Sequence, residues 1–350
     1  MEKKTEGMLS PYRVLDLTDE KGLLCGKILG DLGADVIKIE RPGGDPARSI
    51  GPFYHDEPDP EKSLFWFALN TSKRGITLNI ETADGQDIFK KLVKNADFVI
   101  ESFPPGYLDK LGLGYKALEK INPGVILVSI SPFGQTGPYK DYKTADIVAW
   151  ATGGDMAPWG EPDRPPLHFS HHSQAYLHAG ADGATGALTA LYHRYSTGEG
   201  QQVDVSIQES VVHCLEHITS NWDFRQAFAR RGEGRNPAAG HQTILIWPCK
   251  DGWVSWSHGG NSVLAPSLPL IKWMELEGYT DDFLKGFDWN RPDFGRISQE
   301  EMDKIDEPTA RFFMAHTKDE LLEGAVKYGI MMYPVATTDD MLENRQLKAR

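Results

Sequence analysis

Three short segments near the N-terminus constrain the fold most. "YRVLDLT" (Tyr12 to Thr18) is a β-branched and apolar run. "GLLCGKILGDLG" follows with Leu23, Leu24, Ile28, Leu29 and Leu32 at helical spacing and Gly33 at its end. "ADVIKIE" then alternates Val36 with Lys38 as a strand does. A strand, a helix and a second strand in this order form a β-α-β unit, which favours a parallel sheet. "ITLNIET", "GQDIFKKLVKNA", "DFVIES", "YKALEKINP" and "GVILVSISPFG" continue the alternation to about residue 134. The expected fold is α/β, with a doubly wound parallel sheet in the N-terminal part.

Between Asp141 and Pro166 the chain turns rich in Gly, Pro and Trp, and "AGADGATGALTALYHRY" then reads as a helix whose Ala and Gly positions allow close backbone approach. "GQQVDVSIQESVVHCLEH" reads as a strand (Val203, Val205, Ile207) running into a helix. After a Pro/Gly-rich loop past Gly232, "TILIWPCKDGWVSWS" reads as a hairpin turned by Asp251-Gly252 that opens a second, smaller α+β domain. The expected organisation is a large domain with linker helices over 1–225, a small α+β domain over 226–335 and a last segment over 336–350.

Charge narrows the partners. A formal net charge of −13 over 350 residues disfavours nucleic acid and anionic membrane, both of which need a basic footprint. A phosphate-bearing ligand then needs a local cluster of Lys and Arg. Three widely spaced cysteines (Cys25, Cys214, Cys249), no CxxC pair and a polar start, "MEKKTEG", point to the reducing cytosol. No apolar run reaches the roughly 18 residues of a membrane span.

Four histidines, His168, His171, His172 and His178, crowd one short stretch. Imidazoles at short spacing are frequent zinc ligands, but no HExxH, CxxC or carboxylate pair frames these, so they read as polar lining or packing and no metal is expected. His213 and His217 read the same way. Glu40 stands where a dinucleotide-binding fold carries its ribose-binding acid, yet the turn "TDEKGLLCG" lacks G-x-G-x-x-G, which argues against NAD or FAD. The cations say more. Lys38 and Arg41 close the second strand, Lys73 and Arg74 stand in "TSKRG", and Lys110, Lys140 and Lys143 follow later strands and loops. Ligands of a doubly wound sheet collect at the carboxyl ends of its strands, so these positions are how an acidic protein would hold a polyphosphate.

Longer strings carry a resemblance. "RVLDLT...GKILGDLGADVIKIERPGGDPAR", "LNTSKRGITLNIET", "ADFVIESFPPGYLDKLGLGYKALEKINPGVILVSISPFGQTGP" and "HRYSTGEGQQVDVSIQES" resemble the family III coenzyme A-transferases, a group with formyl-CoA and carnitine CoA-transferases and α-methylacyl-CoA racemases. The resemblance covers about residues 12 to 348. It implies a Rossmann-like large domain, a small domain and two subunits threaded through each other like linked rings. It also implies a C-terminal segment returning to the large domain, which usually begins about where this chain stops, so the sequence reads as truncated. Coenzyme A and acyl-CoA would be substrates, with no permanently bound cofactor. Matched motif by motif, the CoA-binding positions are Asp19, Glu20, Lys21 and Gly22, then Arg41, Lys73, Arg74, Ser102, Phe103, Lys110 and Lys143. Cations would meet the 3′-phosphate and pyrophosphate, with Phe103 as an apolar contact. Ser102 stands where the family often has Asn, and Lys110 where Arg is common, which removes a bidentate fork and keeps the charge.

The family's transferase mechanism implies an aspartate nucleophile. Its carboxylate attacks the acyl-CoA thioester to give a mixed anhydride, the freed CoA thiolate converts this to an aspartyl-CoA thioester, and the acceptor acid repeats the cycle. Counting back from "TGEGQ" (Thr197 to Gln201), that position falls on Tyr176, and no Asp or Glu lies between Asp163 and Asp182. A phenol of pKa about 10 would form an aryl ester and is a poor substitute. The racemase branch requires a histidine where Ala145 stands. Asp146 matches an acidic position near the transferase active site and is expected to support it. The glycine-rich loop that shields the intermediate survives only as "NPAAGHQ" (Asn236 to Gln242).

The resemblance therefore implies a CoA-transferase subunit that moves CoA between an acyl-CoA donor, such as succinyl-CoA, and an organic acid, with the aspartate supplied by a homologous partner subunit. Succinyl-CoA:benzylsuccinate CoA-transferase, built from two unlike subunits, is the family member that offers the analogy. Two alternatives stand beside it. One is a homodimeric enzyme using a displaced carboxylate such as Asp182, roughly 9 Å along a helix from the expected site at about 1.5 Å per residue. The other is a non-catalytic acyl-CoA-binding protein.

Overall fold

The computed structural model describes residues 7–160, 163–168, 173–215, 220, 222–224, 226, 241, 243–259 and 266–350. His171, His172, His217 and all of "NPAAGHQ" but His241 lie outside the described residues. The chain divides into two compact units, Met1–Ala229 and Arg230–Arg350.

The first unit is built on strands β1 (Arg13–Leu17), β2 (Asp35–Glu40), β3 (Lys73–Thr77), β4 (Phe98–Glu101), β5 (Ile126–Ser131) and β6 (Gln202–Ser206). They form one sheet in the order β3-β2-β1-β4-β5-β6, every neighbouring pair parallel. The order reverses between β1 and β4, so the loops leaving their carboxyl ends part from each other and open a crevice. Helices α1 (Leu23–Asp31), α2 (Leu64–Asn70), α3 (Ala83–Val93), α4 (Tyr107–Lys110), α5 (Tyr115–Ile121), α6 (Asp146–Gly153), α7 (Gln174–Thr197) and α8 (Ile207–His213) surround the sheet.

Alternate residues of each strand serve opposite layers. Val14, Val36, Phe98 and Val128 pack with Cys25 and Leu29 of α1 and with Ala179 and Ala184 of α7. Leu15, Ile37, Val99 and Leu127 pack with Phe89 and Val93 of α3 and Leu118 of α5. Burial on both faces explains why β4 and β5 are near-continuous apolar runs. The small residues of α7 let it lie against α1: a Cβ at Gly180 would stand 2.8 Å from Leu24 Cβ.

One strand is displaced from its expected place. β3 pairs with β2 from Val36↔Lys73 to Glu40↔Thr77, so most of "ITLNIET" has already left the sheet. Asn79 Oδ1 accepts from Glu81 N at 3.0 Å, and Thr82 Oγ1 accepts from Gly85 N at 3.2 Å to cap α3. Local side-chain bonds to the backbone win there over strand pairing.

The second unit carries β7 (Ile246–Cys249), β8 (Gly252–Ser255) and β9 (Tyr333–Pro334), antiparallel in that order, with α9 (Leu268–Leu276), α10 (Asp282–Gly286), α11 (Gln299–Ala315) and α12 (Lys318–Tyr328). Trp247, Val254, Met274, Phe313 and Leu321 share its core. Cys249 pairs with Gly252, so the hairpin turns at Lys250-Asp251 rather than at Asp251-Gly252. Asp251 Oδ1 accepts from Lys318 N at 2.7 Å and ties the turn to the start of α12.

Candidate functional site

Beneath the crevice lies a buried ion cluster. Lys73 Nζ donates to Asp16 Oδ2 at 2.8 Å, to Leu23 O at 2.8 Å and to Asn70 Oδ1 at 3.0 Å. Lys38 Nζ donates to the Thr18 carbonyl and stands 3.2 Å from Asp45 Oδ2 and 3.9 Å from Asp16 Oδ1. Burial opposes ionisation of Asp16, but Lys73 and Lys38 outweigh it and hold the carboxyl below its usual range. Asp16 Oδ1 in turn accepts from Thr18 N at 2.9 Å and Thr18 Oγ1 at 2.6 Å. The loop leaving β1 is thereby fixed from below.

The same loop is tied across the crevice to β4. Ser102 Oγ accepts from Asp19 N at 2.8 Å and donates to Asp19 Oδ1 at 2.7 Å, while Lys21 pairs with Asp19 Oδ2. Gly22 is required at the turn, because a Cβ would stand 2.6 Å from Thr18 Cγ2. Glu101 Oε2 accepts from Phe103 N at 2.7 Å, and the Phe103 ring lies 4.6 Å from that of Tyr107.

Two cavities meet at Asp19 and Phe103. One, of about 530 Å³, is lined by Asp19, Lys21, Ser102, Phe103, Lys110, Lys140, Tyr142 and Lys143 among others. The other, of about 520 Å³, is lined by Asp19, Glu40, Arg41, Asp45, Glu81, Phe103 and Tyr107 among others. Most cation-bearing positions expected to hold CoA are therefore gathered here. Among the described residues Lys110 and Lys143 belong to no ion pair, which leaves both ammonium groups for a ligand, whereas Lys140 pairs with Asp141 at 2.9 Å. Glu20 is half-buried in the same loop; burial, Asp19, Asp45 and Asp146 push its carboxyl up despite Lys21.

The structure does not bring Lys73 or Arg74 to either cavity. Lys73 is sealed against Asp16, and Arg74 grips Asp35 through Nη2 at 2.5 and 2.8 Å and Nε at 2.9 Å, at the amino end of β2. Glu40 is equally engaged, held by Arg48 Nε at 2.6 Å and Nη2 at 2.8 Å. The carboxylates that organise this floor, Asp16 and Glu101, go unmarked in the sequence reading. Their signal is an acid set in the apolar runs "VLDL" and "FVIE", where burial demands a partner.

At the amino end of α7 stands Tyr176, buried in the core. Asp146, the first residue of α6, accepts through Oδ1 from Ala175 N at 2.8 Å and Tyr176 N at 3.4 Å, and its Oδ2 lies 3.4 Å from His168 Nε2. Burial, then Glu20, Asp146 and Asp19, push the Tyr176 phenol well above its ordinary range. Asp182 meets different neighbours: its Oδ2 lies 3.5 Å from His213 Nδ1 on α8. The His178 ring packs edge-on against Trp150 at 5.9 Å. Among the described residues no group of three or more His, Cys, Asp or Glu is placed to hold a metal ion, and no helix is long and apolar enough to cross a membrane.

Comparison with known proteins gives a consistent assignment. The chain matches CoA-transferase family III over residues 9–350. It is 35% identical to the succinyl-CoA:(R)-benzylsuccinate CoA-transferase subunit BbsE of Thauera aromatica, over 97% of this chain and 82% of that protein. It is 33% identical to the succinyl-CoA–D-citramalate CoA-transferase of Chloroflexus aurantiacus, over 98% and 82%. Among solved structures, a CAIB/BAIF family protein from Brucella suis superposes with a TM-score of 0.81 at 30% identity, covering 99% of this chain and 88% of that one.

Proposed function

The chain belongs to CoA-transferase family III, and on that premise we propose that it is one subunit of a heteromeric CoA-transferase whose carboxylate nucleophile comes from a homologous partner subunit. CoA spans the crevice, with Lys110, Lys143 and Arg41 on its phosphates and Phe103 against its apolar length. The donor is succinyl-CoA and the acceptor an organic acid. CoA and its thioesters enter as substrates, and no resident cofactor takes part.

One observation supports this reading: the phenol of Tyr176, the residue that the motif match sets at the nucleophile position, is pushed further from ionisation by its surroundings. Such a group neither ionises near neutrality nor forms the mixed anhydride the reaction needs. The likeness to BbsE, a relative named as a subunit of a succinyl-CoA:(R)-benzylsuccinate CoA-transferase, supports the same assembly. Asp182 is a weaker candidate because it pairs with His213, whereas the carboxylates acting on Tyr176 are Glu20, Asp146 and Asp19.

Incubation of the chain, alone and with a co-expressed family member carrying the aspartate, with succinyl-CoA and hydroxylamine tests the proposal. Mass spectrometry is expected to place the modified carboxylate on the partner. Modification of Asp182 or Glu20 in the lone chain would replace the proposal by a self-sufficient enzyme. CoA binding without transfer in the presence of that partner would leave an acyl-CoA-binding protein.

A further inference from the structure

We infer that Glu101 is a positioning residue for the CoA site, holding the Ser102–Phe103 turn in the shape both cavities require, and that it does so as a carboxylate. The inference rests on reading those cavities as the CoA site.

Glu101 closes β4, is 5% exposed, and lies in register between Leu17 of β1 and Ser129 of β5. Two donors face it. Phe103 N–H donates to Oε2 at 2.7 Å, and the Ser129 hydroxyl, opposite Glu101 on β5, acts on the same carboxylate in favour of its ionised form. Ser129 Oγ accepts from Gln202 Nε2 at 3.2 Å. A carboxylate satisfies both donors; protonation sets a hydrogen on a group that already faces two others.

The consequence reaches the ligand through Phe103, the wall shared by both cavities. Ser102, one residue away, tethers this turn to Asp19 through 2.8 and 2.7 Å bonds, so a shift of the turn loosens the loop after β1 as well. The charged groups acting on Glu101 are Asp19 from that loop and Asp109 from α4, both anionic. Burial first, and then these charges, push the Glu101 carboxyl up to about 7 against the bonds from Ser129 and Phe103. Asp16, one strand away, shows the opposite arrangement, with Lys73 and Lys38 keeping it ionised. Glu101 therefore changes state where Asp16 does not.

The experiment is calorimetric titration of free CoA into the full chain, with its partner subunit where the two purify together, at pH 6, 7 and 8 and constant ionic strength. Glu101→Gln is expected to bind CoA roughly tenfold more weakly than wild type at pH 8, the scale of one lost charge-assisted hydrogen bond, and within about twofold of it at pH 6. Titration of the CoA 3′-phosphate is common to both proteins and cancels in the ratio. Ser129→Ala keeps the acid and removes one donor, so its affinity midpoint is expected about one pH unit above that of wild type. A ratio equal at pH 6 and pH 8, or an unmoved midpoint in Ser129→Ala, overturns the inference. Absence of CoA binding by wild type at every pH is a separate result that removes the CoA reading itself.

Discussion

Asp146 Oδ1 lies 2.8 Å from the backbone nitrogen of Ala175, so the side chain that starts one helix closes the amino end of another. The first amides of a helix lack partners within it, and a negative charge there also opposes the helix dipole. Asp146→Ala is expected to destabilise the first unit by about 1–2 kcal/mol, and Asp146→Asn, which keeps an acceptor and loses the charge, by about half as much. Urea unfolding followed by circular dichroism measures both. Equal stability of all three proteins would show that the contact does not cap α7.

The burial of Tyr176 separates packing from chemistry. Tyr176→Phe keeps the ring and removes the hydroxyl, so transfer by the complex with its partner is expected to stay within about twofold of wild type. A loss of about a hundredfold would make the phenol a participant and contradict a nucleophile on the other chain. The measurement is the steady-state rate with succinyl-CoA and the acceptor.

Lysines that look alike in the sequence are expected to fail differently. Lys110→Ala or Lys143→Ala removes an exposed ammonium, without an ion pair among the described residues, from the 530 Å³ cavity and is expected to weaken CoA binding roughly tenfold, with a smaller dependence on salt. Lys73→Met instead leaves Asp16 buried with one cation fewer and is expected to destabilise the fold by about 3 kcal/mol. Arg74→Ala, on an exposed pair with Asp35, is expected to change stability by under about 1 kcal/mol. Calorimetry and unfolding on the same preparations separate these effects. A Lys73→Met protein of native stability that no longer bound CoA would return Lys73 to the ligand.

That contrast marks what is legible in the sequence. The sheet can be read because β1, β4 and β5 are apolar runs buried between two helix layers, with turns and helices that break the pattern between them. The end of β3 cannot, since Asn79 and Thr82 take the backbone out of the sheet through bonds invisible to a period-two pattern. Cations can be located near strand ends, but their partners cannot: Asp16, the partner of Lys73, is 57 positions away in the chain. Tyr176 is the opposite case. Its meaning comes from a motif match, and the structure adds Asp146 and Glu20 as the acids around it.

In the second unit, Asp306 Oδ1 lies 3.6 Å from Nε2 of His258, whose ring is enclosed by Trp256 at 4.2 Å and Trp289 at 6.0 Å. Burial, and then Asp303, push the Asp306 carboxyl up to about 7, and burial holds the His258 imidazole down at about 3. A carboxyl raised on folding binds its proton more tightly in the native state, so its contribution is full below the ordinary carboxylate range and is lost as pH rises through about 7. A histidine lowered on folding works in the other direction: its contribution is present above pH 6.5 and is lost as pH falls toward 3. Asp306→Asn removes the first effect and leaves the second, so the difference between variant and wild type isolates the carboxyl. At pH 3, below the ordinary carboxylate range, Asp306 is protonated in the folded and the unfolded chain alike, and the two proteins are expected to melt together, because a protonated Asp and an Asn are similar in shape and charge. At pH 8 the variant is expected to be more stable by roughly 1–2 kcal/mol, a value below the full shift because the group is partly hydrated. Melting curves at the two pH values measure it, and a variant that loses stability at pH 8 would show that the ionised Asp306 is held by a partner rather than merely buried.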